Sequence, residues 1–112
     1  MEIPSYFSTQ KTSENIFNGE PAPDASALLA FFDIGSGLQI ELIQPNGVSS
    51  VWRDVLDQQG ESFHHIAFKI KGMEEKILSC ENFNMRCIQR GNGYAYMDAT
   101  EDLKCIIELL GK

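Results

Sequence analysis

The chain has 112 residues and a formal charge of −7, from 16 acidic and 9 basic side chains. With 43% hydrophobic residues it is long enough for one compact domain with a real core and too short for two independent ones. The acidic balance, without a basic cluster, would repel phosphate backbones and anionic lipid surfaces. We therefore expect neither nucleic acid nor a membrane as a partner.

The cysteines and the N-terminal sequence bear on the cellular compartment. Cys80, Cys87 and Cys105 are odd in number and lack the close paired spacing of zinc sites and small disulfide frameworks. They predict free thiols in a reducing compartment. The start of the chain lacks the basic and then apolar pattern of a signal peptide, and no apolar stretch approaches the length of a bilayer span. These features predict a cytoplasmic, soluble protein.

The front half of the chain begins irregularly and then becomes regular. Residues 8–27 are rich in Ser, Thr, Asn and Pro, which predicts a long exposed loop or a loose hairpin. The apolar run 25–32 predicts a strand, and the Gly-rich turn after it leads into a second strand over 38–43. Ser49 or Ser50 then caps a predicted short helix that stops near Gly60.

After Gly60 the predicted order is strand, helix, strand, strand, strand. The first strand covers 63–70, and the helix covers about 73–83, with Met73, Ile77 and Cys80 forming its buried stripe. A Gly-Asn-Gly turn at 91–93 joins the next two strands in a hairpin, and the last strand covers 104–110.

Three polar side chains stand in these apolar strands. Glu41 lies between Ile40 and Leu42, and Glu108 lies between Ile107 and Leu109, so each carboxylate points away from its apolar neighbours. In the strand over 63–70, one face has His64, Ile66, Phe68 and Ile70, and we expect the α-helix over 73–83 to cover it. The other face has His65, Ala67 and Lys69. This alternation predicts that His65 is on the open face of its strand, together with Lys69, and that His64 is structural.

Three separated segments together resemble the vicinal oxygen chelate superfamily, which includes glyoxalase I, methylmalonyl-CoA epimerase, extradiol dioxygenases and the bleomycin-resistance proteins. They are Gly37–Pro45 (GLQIELIQP), Phe63–Phe68 (FHHIAF) and Ile106–Leu109 (IIEL). The resemblance spans roughly residues 25–110 and is nearest to the glyoxalase-like and epimerase-like branch. It implies an α+β fold, in which two strand-helix-strand-strand-strand modules form a cupped mixed sheet around a divalent metal.

The resemblance also implies the domain layout and the metal ligands. We expect one glyoxalase-like domain with a shortened first module (1–47), a linker helix (48–61) and a complete second module (62–112). His65, Glu108 and Glu41 match family ligands on the first and last strands of the second module and the last strand of the first. The family's opening strand and helix have no counterpart here, and the first residues look like the family's second strand.

The donor set bears on the chemistry that such a site would support. One imidazole and two carboxylates suit Zn, Ni, Co, Mn or Mg, and they fit proton transfer better than oxygen activation. With a metal as Lewis acid, Glu108 or Glu41 would be the base or hold the ion. This predicts an isomerase or lyase acting on a small 2-oxo, hemithioacetal or acyl-CoA compound, with Lys69 holding an anionic group and no organic cofactor.

Each of these residues also has a structural interpretation. Glu41 and Glu108 could form ion pairs with Arg86, Arg90 or Lys69. Tyr94 and Tyr96 share one strand face, which fits either a pocket wall or simple cross-strand packing. The three cysteines fit small core residues better than nucleophiles, and Trp52 fits an anchor for its helix.

The absent first strand and helix have a structural consequence. The face that carries Leu38, Ile40 and Leu42 would be left uncovered, which predicts a homo-oligomer, most simply a twofold dimer. Two other functions remain alternatives to the enzyme: a metal-free small-molecule binder like the bleomycin-resistance proteins, and a degenerate oligomeric structural protein.

Overall fold

The computed structural model describes residues 4–10 and 13–111. Nine strands and two helices follow one another there in the order β1–β5, α1, β6, α2, β7–β9. Their bounds are β1 Tyr6–Gln10, β2 Ile16–Phe17, β3 Glu20–Pro21, β4 Ala27–Asp33, β5 Gln39–Pro45, α1 Val51–Gln59, β6 His65–Ile70, α2 Met73–Asn82, β7 Arg86–Gly91, β8 Tyr94–Ala99 and β9 Cys105–Gly111. The predicted α+β class is correct. Neither described helix is long and apolar enough to span a membrane.

The front of the chain is more regular than the sequence predicted. The expectation of a loop or loose hairpin over 8–27 is wrong for its first residues, because β1 pairs antiparallel with β4, from Tyr6 opposite Phe31 to Gln10 opposite Ala27. The hairpin interpretation is correct for β2 and β3, which turn at Asn18 and Gly19, both with positive φ. The turn residues Asn18 and Gly19 could be recognised in the sequence. The strand β1 could not, because its stability depends on pairing with β4.

A three-stranded sheet of order β1-β4-β5 forms the first module. The predicted hairpin of β4 and β5 is confirmed, with Phe31 opposite Glu41 and Asp33 opposite Gln39. No strand among residues 4–10 and 13–111 pairs with the other edge of β5.

The second sheet has the order β3-β2-β7-β8-β9-β6 and contains the complete βαβββ module. Strand β6 crosses over through α2 and pairs in parallel with β9, which places it at one edge of the sheet. The hairpin of β7 and β8 turns at the predicted Gly-Asn-Gly segment. The strand predicted over 63–70 begins at His65, so Phe63 and His64 precede it.

Helix α2 covers the outer face of this sheet. Ile77 is buried against Ala95, Met97 and Leu109, and the less buried Met73 and Cys80 flank this cluster, as the predicted stripe requires. The helix contacts β7, β8 and β9. Ile66 and Phe68 of the edge strand β6 remain about half exposed, because α2 does not reach them.

Helix α1 joins the two sheets on their inner side. Ser50 is its N-cap, and the Ser50 hydroxyl accepts a hydrogen bond from the backbone N–H of Arg53. Gly60 closes the helix with φ of 70°, a conformation that glycine adopts without strain. Trp52 is buried in a core that also includes Leu29 of the first sheet and Tyr96 of the second.

A chain of buried hydrogen bonds, here called the structural polar network, fixes this junction. Asn15 donates to the carbonyl of Ala25 and accepts from the Tyr94 hydroxyl, which in turn accepts from the Gln89 amide. The side-chain oxygen Oε1 of Gln89 accepts a hydrogen bond from the backbone N–H of Val51 at 2.7 Å. This N–H is one of the donors that a helix start leaves without an intrahelical partner. The network therefore ties the front hairpin and two strands to α1.

The outer face of the first sheet is uncovered in this chain. Leu38, Ile40 and Leu42 are 62%, 48% and 46% exposed, and Phe7 and Leu28 extend the same apolar surface. Alternation along paired strands places Phe7, Leu28, Ile40 and Leu42 on one side. The predicted exposure of the Leu38–Leu42 face is correct, and we refer to Phe7, Leu28, Leu38, Ile40 and Leu42 as the open apolar face.

Candidate metal centre

The parallel pairing of β6 and β9 positions two of the three predicted site residues. His65 lies opposite Ile106 and Ala67 lies opposite Glu108. Because alternate residues share a face, the side chains of His65 and Glu108 leave the sheet on the same, inner side. Glu41 lies on the inner side of β5 and approaches them from the first sheet.

The structure brings these three side chains together. The Nε2 atom of His65 is 3.0 Å from Oε1 of Glu108 and 3.6 Å from Oε1 of Glu41. One donor atom from each residue falls in a group whose members all lie within 4.8 Å of one another. The side chains of His65, Glu108 and Glu41 are 7%, 8% and 19% exposed, so Glu41 is the member nearest to solvent.

Burial and like charge affect Glu41 in particular. Burial and, after it, the negative charge of Glu108 raise the pKa of Glu41 to about 7, and His65 partly opposes both effects. A carboxyl group with this pKa exchanges its proton near neutral pH, which is the range that suits general acid–base work. A positive ion between the two carboxylates would relieve the same repulsion.

His64 contacts the other side of the His65 ring. The two Nδ1 atoms are 2.8 Å apart, and the rings are almost perpendicular. Burial and the neighbouring His65 lower the pKa of His64 to about 4. The Nε2 atom of His64 is buried and has no hydrogen-bond partner in the described part of the chain.

Aromatic side chains support the two histidines from within the core. The ring of Tyr96 lies 5.4 Å from that of His64 and 5.1 Å from that of His65. The Tyr96 hydroxyl accepts a hydrogen bond from the Trp52 indole at 2.9 Å, and burial raises the pKa of Tyr96 well above its usual value. Tyr94 and Tyr96 lie on the same strand, contact each other and are buried in the core, so they pack in the core and do not form a pocket wall.

An open cavity of about 1150 Å³ lies above the three site residues. Its walls come from the two edge strands β5 and β6 and from α1, and they are largely apolar. The residues that line it include Glu41, His65, Glu108, Lys69, Trp52 and Phe63. Lys69 lines the cavity on the His65 side of β6, as its place in the strand predicted.

The other candidate roles are resolved by the contacts. Arg86 donates to Asn18, and Arg90 donates to Glu74 at 2.8 Å, whereas both site carboxylates contact His65. Among the described residues, the predicted alternative ion pairs of the carboxylates with Arg86, Arg90 or Lys69 are therefore not formed. Cys80, Cys87 and Cys105 are free and only partly buried, and burial raises the pKa of Cys80 and Cys87, which disfavours a nucleophilic thiolate.

The sequence did not reveal the position of His64. Alternation along a strand that was assumed to start at residue 63 placed it under α2, away from His65. The strand starts at His65, so His64 is free of the alternation and its ring turns towards the ring of its neighbour. The signal that was available is the direct repetition of two histidines, the only two in the chain.

Comparison with known proteins agrees with this architecture. The uncharacterized protein YqjC of Bacillus subtilis (strain 168) is 27% identical over 97 residues, which are 80% of this chain and 69% of YqjC. The crystal structure of a hypothetical protein of Bacillus halodurans C-125 superposes with a TM-score of 0.61 and 27% identity, over 77% of this chain and 67% of that one.

A second crystal structure similar in fold is methylmalonyl-CoA epimerase from Mycobacterium tuberculosis, with a TM-score of 0.59 and 22% identity. The match covers 76% of this chain and 62% of the epimerase, so the chain spans less than two thirds of that enzyme. The model of the Glyoxalase/Bleomycin resistance protein/Dioxygenase superfamily matches residues 8–100. The chain therefore belongs to the glyoxalase/bleomycin resistance protein/dioxygenase superfamily.

Proposed function

We propose that the chain binds one divalent cation through Glu41, His65 and Glu108 and uses it in proton transfer on a small carbonyl compound. The observation that carries this proposal is the convergence of one imidazole and two carboxylates from three different strands at the floor of one cavity. Buried carboxylates that face each other are costly without a compensating charge. The site has the composition and the placement of a cation site.

The spacing of the donor atoms supports the fit. Ligands that each lie about 2.0–2.2 Å from an ion stand roughly 3.0–3.5 Å apart. The separations of His65 Nε2 from the two carboxylate oxygens, 3.0 Å and 3.6 Å, are close to this range. An imidazole with two carboxylates accommodates Zn, Ni, Co, Mn or Mg. Small side-chain shifts would therefore suffice for binding.

The composition of the site favours proton transfer. Non-haem iron oxygenases use two histidines and one carboxylate, whereas this site has one histidine and two carboxylates. A bound cation would act as a Lewis acid on a carbonyl or thioester oxygen. This is the chemistry of isomerases, epimerases and lyases of the glyoxalase type.

The two carboxylates differ in a way that suggests separate roles. Glu108 is the more buried and contacts His65 at 3.0 Å, so it suits a fixed ligand. Glu41 is more exposed and farther from His65, so its carboxylate is the better placed of the two to reach a substrate in the cavity. We assign the proton transfer to Glu41, with Glu108 as the alternative base.

The cavity sets the class of substrate. It is open, largely apolar and lined by the ammonium-bearing Lys69, which suits a small carbonyl compound with an anionic group. The substrates to screen are therefore 2-oxo compounds, hemithioacetals and acyl-CoA thioesters. The similarity in fold to methylmalonyl-CoA epimerase supports including thioesters.

A metal-free binding role, like that of the bleomycin-resistance proteins, is the second candidate. The apolar walls and the openness of the cavity favour it, because they suit sequestration of a small molecule. A degenerate oligomeric structural protein is the third, and the uncovered sheet face is the observation behind it. Cation binding separates the first candidate from both of the others.

The test is elemental analysis of purified protein after incubation with each divalent ion and removal of the excess. We expect about one ion per chain in the wild type and none in His65→Ala, since the imidazole is the central donor. Leu103→Ala is the matched control, because Leu103 is exposed and does not line the cavity. No ion bound to the folded wild type would reject the metal centre and leave ligand binding as the function.

We also propose that the chain forms a homodimer through the open apolar face and the adjacent unpaired edge of β5. Leu38, Ile40 and Leu42 of this face also line the cavity, so the partner subunit would border the cavity. Five large apolar side chains exposed on one sheet would otherwise remain in water. Sedimentation velocity at micromolar concentration should give the mass of a dimer, and Leu42→Glu should shift it to the monomer. A wild type that sediments as a monomer would rule the dimer out.

We also propose a cytoplasmic location. The chain has three free thiols and a charge of −7.

The domain layout is a further proposal. We propose that residues 1–47, 48–61 and 62–112 are not separate domains but one cooperative unit. One core cluster contains Leu29, Trp52 and Tyr96, a residue from each of these ranges. Fluorescence of the single tryptophan and far-ultraviolet circular dichroism should therefore report the same urea transition, and two separate midpoints would contradict the proposal.

A further inference from the structure

The contact between the two histidines restricts where their protons lie. Their Nδ1 atoms are 2.8 Å apart, a distance that requires one hydrogen between them and excludes both two hydrogens and two bare lone pairs. If the hydrogen is on His64, a neutral His65 carries its own proton at Nε2 and donates it to Glu108. If it is on His65, the Nε2 lone pair of His65 faces the two carboxylates.

Only the second arrangement allows His65 to bind a cation through Nε2. Histidines that ligate metals commonly donate the other ring N–H to an acceptor that fixes the tautomer and the ring plane. Within the described part of the chain, Nδ1 of His65 contacts Nδ1 of His64. The acceptor of this site is therefore the preceding residue of the chain.

We propose that His64 is the positioning residue for His65: its Nδ1 accepts the Nδ1–H of His65 and holds the Nε2 lone pair towards Glu41 and Glu108. This inference rests on the proposed cation binding. In the cation-free protein the shared hydrogen belongs to His64, and His65 donates from Nε2 to Glu108 at 3.0 Å. Cation binding then reverses the tautomers of both rings.

The proton count of the pair balances, with solvent water carrying the hydrogen from Nε2 of His65 to Nε2 of His64. His65 loses the hydrogen at Nε2 and gains the shared hydrogen at Nδ1, while His64 loses that hydrogen at Nδ1 and gains one at Nε2. The pair holds two ring hydrogens before and after. The buried Nε2 of His64, which has no hydrogen-bond partner among residues 4–10 and 13–111, is the atom that changes state.

The geometry around His64 makes it suitable for this role. The ring is partly buried, lies 5.4 Å from the ring of Tyr96 and is close to the backbone of Val51, so its plane cannot turn freely. These contacts hold its Nδ1 atom beside Nδ1 of His65.

The experiment is long-range ¹⁵N–¹H NMR of the two imidazoles, with Zn²⁺ as the probe. Because the chain has two histidines, the spectrum contains two ring systems and the tautomers can be assigned by comparison with single variants. We expect His64 Nδ1–H and His65 Nε2–H without Zn²⁺, and the opposite pair with Zn²⁺. Two Nε2–H tautomers in the cation-free protein would overturn the contact, whether or not an ion binds.

Two variants at position 64 test the role in affinity. His64→Phe keeps a ring but removes the acceptor, and we expect Zn²⁺ binding to weaken by about 10- to 100-fold. His64→Asn places an amide oxygen near the former Nδ1 position and should retain most of the affinity. Leu103→Ala is the control, and circular dichroism checks that each variant is folded.

The outcomes separate this inference from the proposed function. Wild-type protein that binds Zn²⁺ with unchanged tautomers, or with equal affinity in folded His64→Phe, would overturn the role of His64 and leave the metal centre in place. Wild-type protein that binds no divalent ion would overturn the metal centre and, with it, the role of His64 in ion binding. If His64→Phe does not fold, His64→Asn and the wild-type spectra still decide the question.

Discussion

Two clusters of buried polar side chains lie on the inner face of the second sheet, and they differ in how well their members are satisfied. In the structural polar network, the side chains of Asn15, Gln89 and Tyr94 pair donor to acceptor and include the first backbone N–H of α1. In the candidate metal centre, two carboxylates share one imidazole, and a neighbouring histidine nitrogen has no hydrogen-bond partner in the described part of the chain.

The difference distinguishes a polar cluster that holds the fold from one that is suited to a ligand. A satisfied network offsets the cost of burying its polar groups and specifies one arrangement of the chain. A cluster with surplus negative charge retains a cost that a cation could relieve. The protein should therefore lose stability when a side chain of the structural polar network is replaced. It should gain stability when one carboxylate of the candidate metal centre is neutralised.

The largest expected effect on stability comes from Gln89→Leu. This change removes the acceptor of the Val51 N–H and the donor to Tyr94, both buried, and should cost about 3 kcal/mol in the free energy of unfolding. Urea unfolding followed by tryptophan fluorescence measures it. A loss below about 0.5 kcal/mol would mean that the network does not hold α1 in place.

The next effect is a gain of stability in Glu41→Gln. In the folded chain the pKa of Glu41 is about 7, above its ordinary value of 4.5, so the folded state retains a proton that the unfolded state releases. The resulting contribution to stability is present below pH 4.5 and is lost as the pH rises through 7. Glutamine does not titrate, so the variant should equal the wild type at low pH and exceed it by about 2 kcal/mol at pH 8, a value reduced for partial solvation.

Unfolding measured at pH 4.5, 6 and 8 in metal-free buffer tests this expectation. Glu20→Gln is a suitable control, because Glu20 is an exposed residue of the short strand β3. A difference between variant and wild type that does not grow with pH would contradict the assigned origin in Glu41. Added divalent cation should favour the wild type instead, since the variant loses a charged donor.

The smallest of the three effects is expected from Tyr96→Phe. The ring of Tyr96 contacts Tyr94 of the structural polar network and His65 of the metal centre, and its hydroxyl accepts from Trp52. Phenylalanine keeps the ring and removes one hydrogen bond, so the loss should be about 1 kcal/mol. The bound-metal stoichiometry should stay unchanged in elemental analysis, and a loss of metal would give Tyr96 a part in the centre itself.

The sequence predicted the back half of the fold and the site residues better than the front of the chain. Period-two alternation around Glu41 and Glu108, and the three motifs that resemble the superfamily, are local signals, and the structure brings the two carboxylates and His65 together. The helix limits followed from Ser50 and Gly60, whose conformational preferences are also local.

What the sequence left open depends on contacts between distant residues. Strand β1 is exposed along most of its length, and it is recognised as a strand only by its pairing with β4. The position of His64 follows from where β6 begins, and the partners of Asn15 and Gln89 lie on other elements. Alternation within one segment contains no information about these contacts.

The parallel pairing of β6 with β9 also bears on how the protein folds. His65 meets Glu108 only after α2 and the hairpin of β7 and β8 have been threaded between them, and Glu41 comes from the other sheet. Such pairings of distant segments close large loops and are entropically demanding steps in folding. A chain that is only partly folded has no site at all. A divalent ion that binds here would therefore raise the free energy of unfolding of the whole domain, by about 2.7 kcal/mol at one hundred times its Kd.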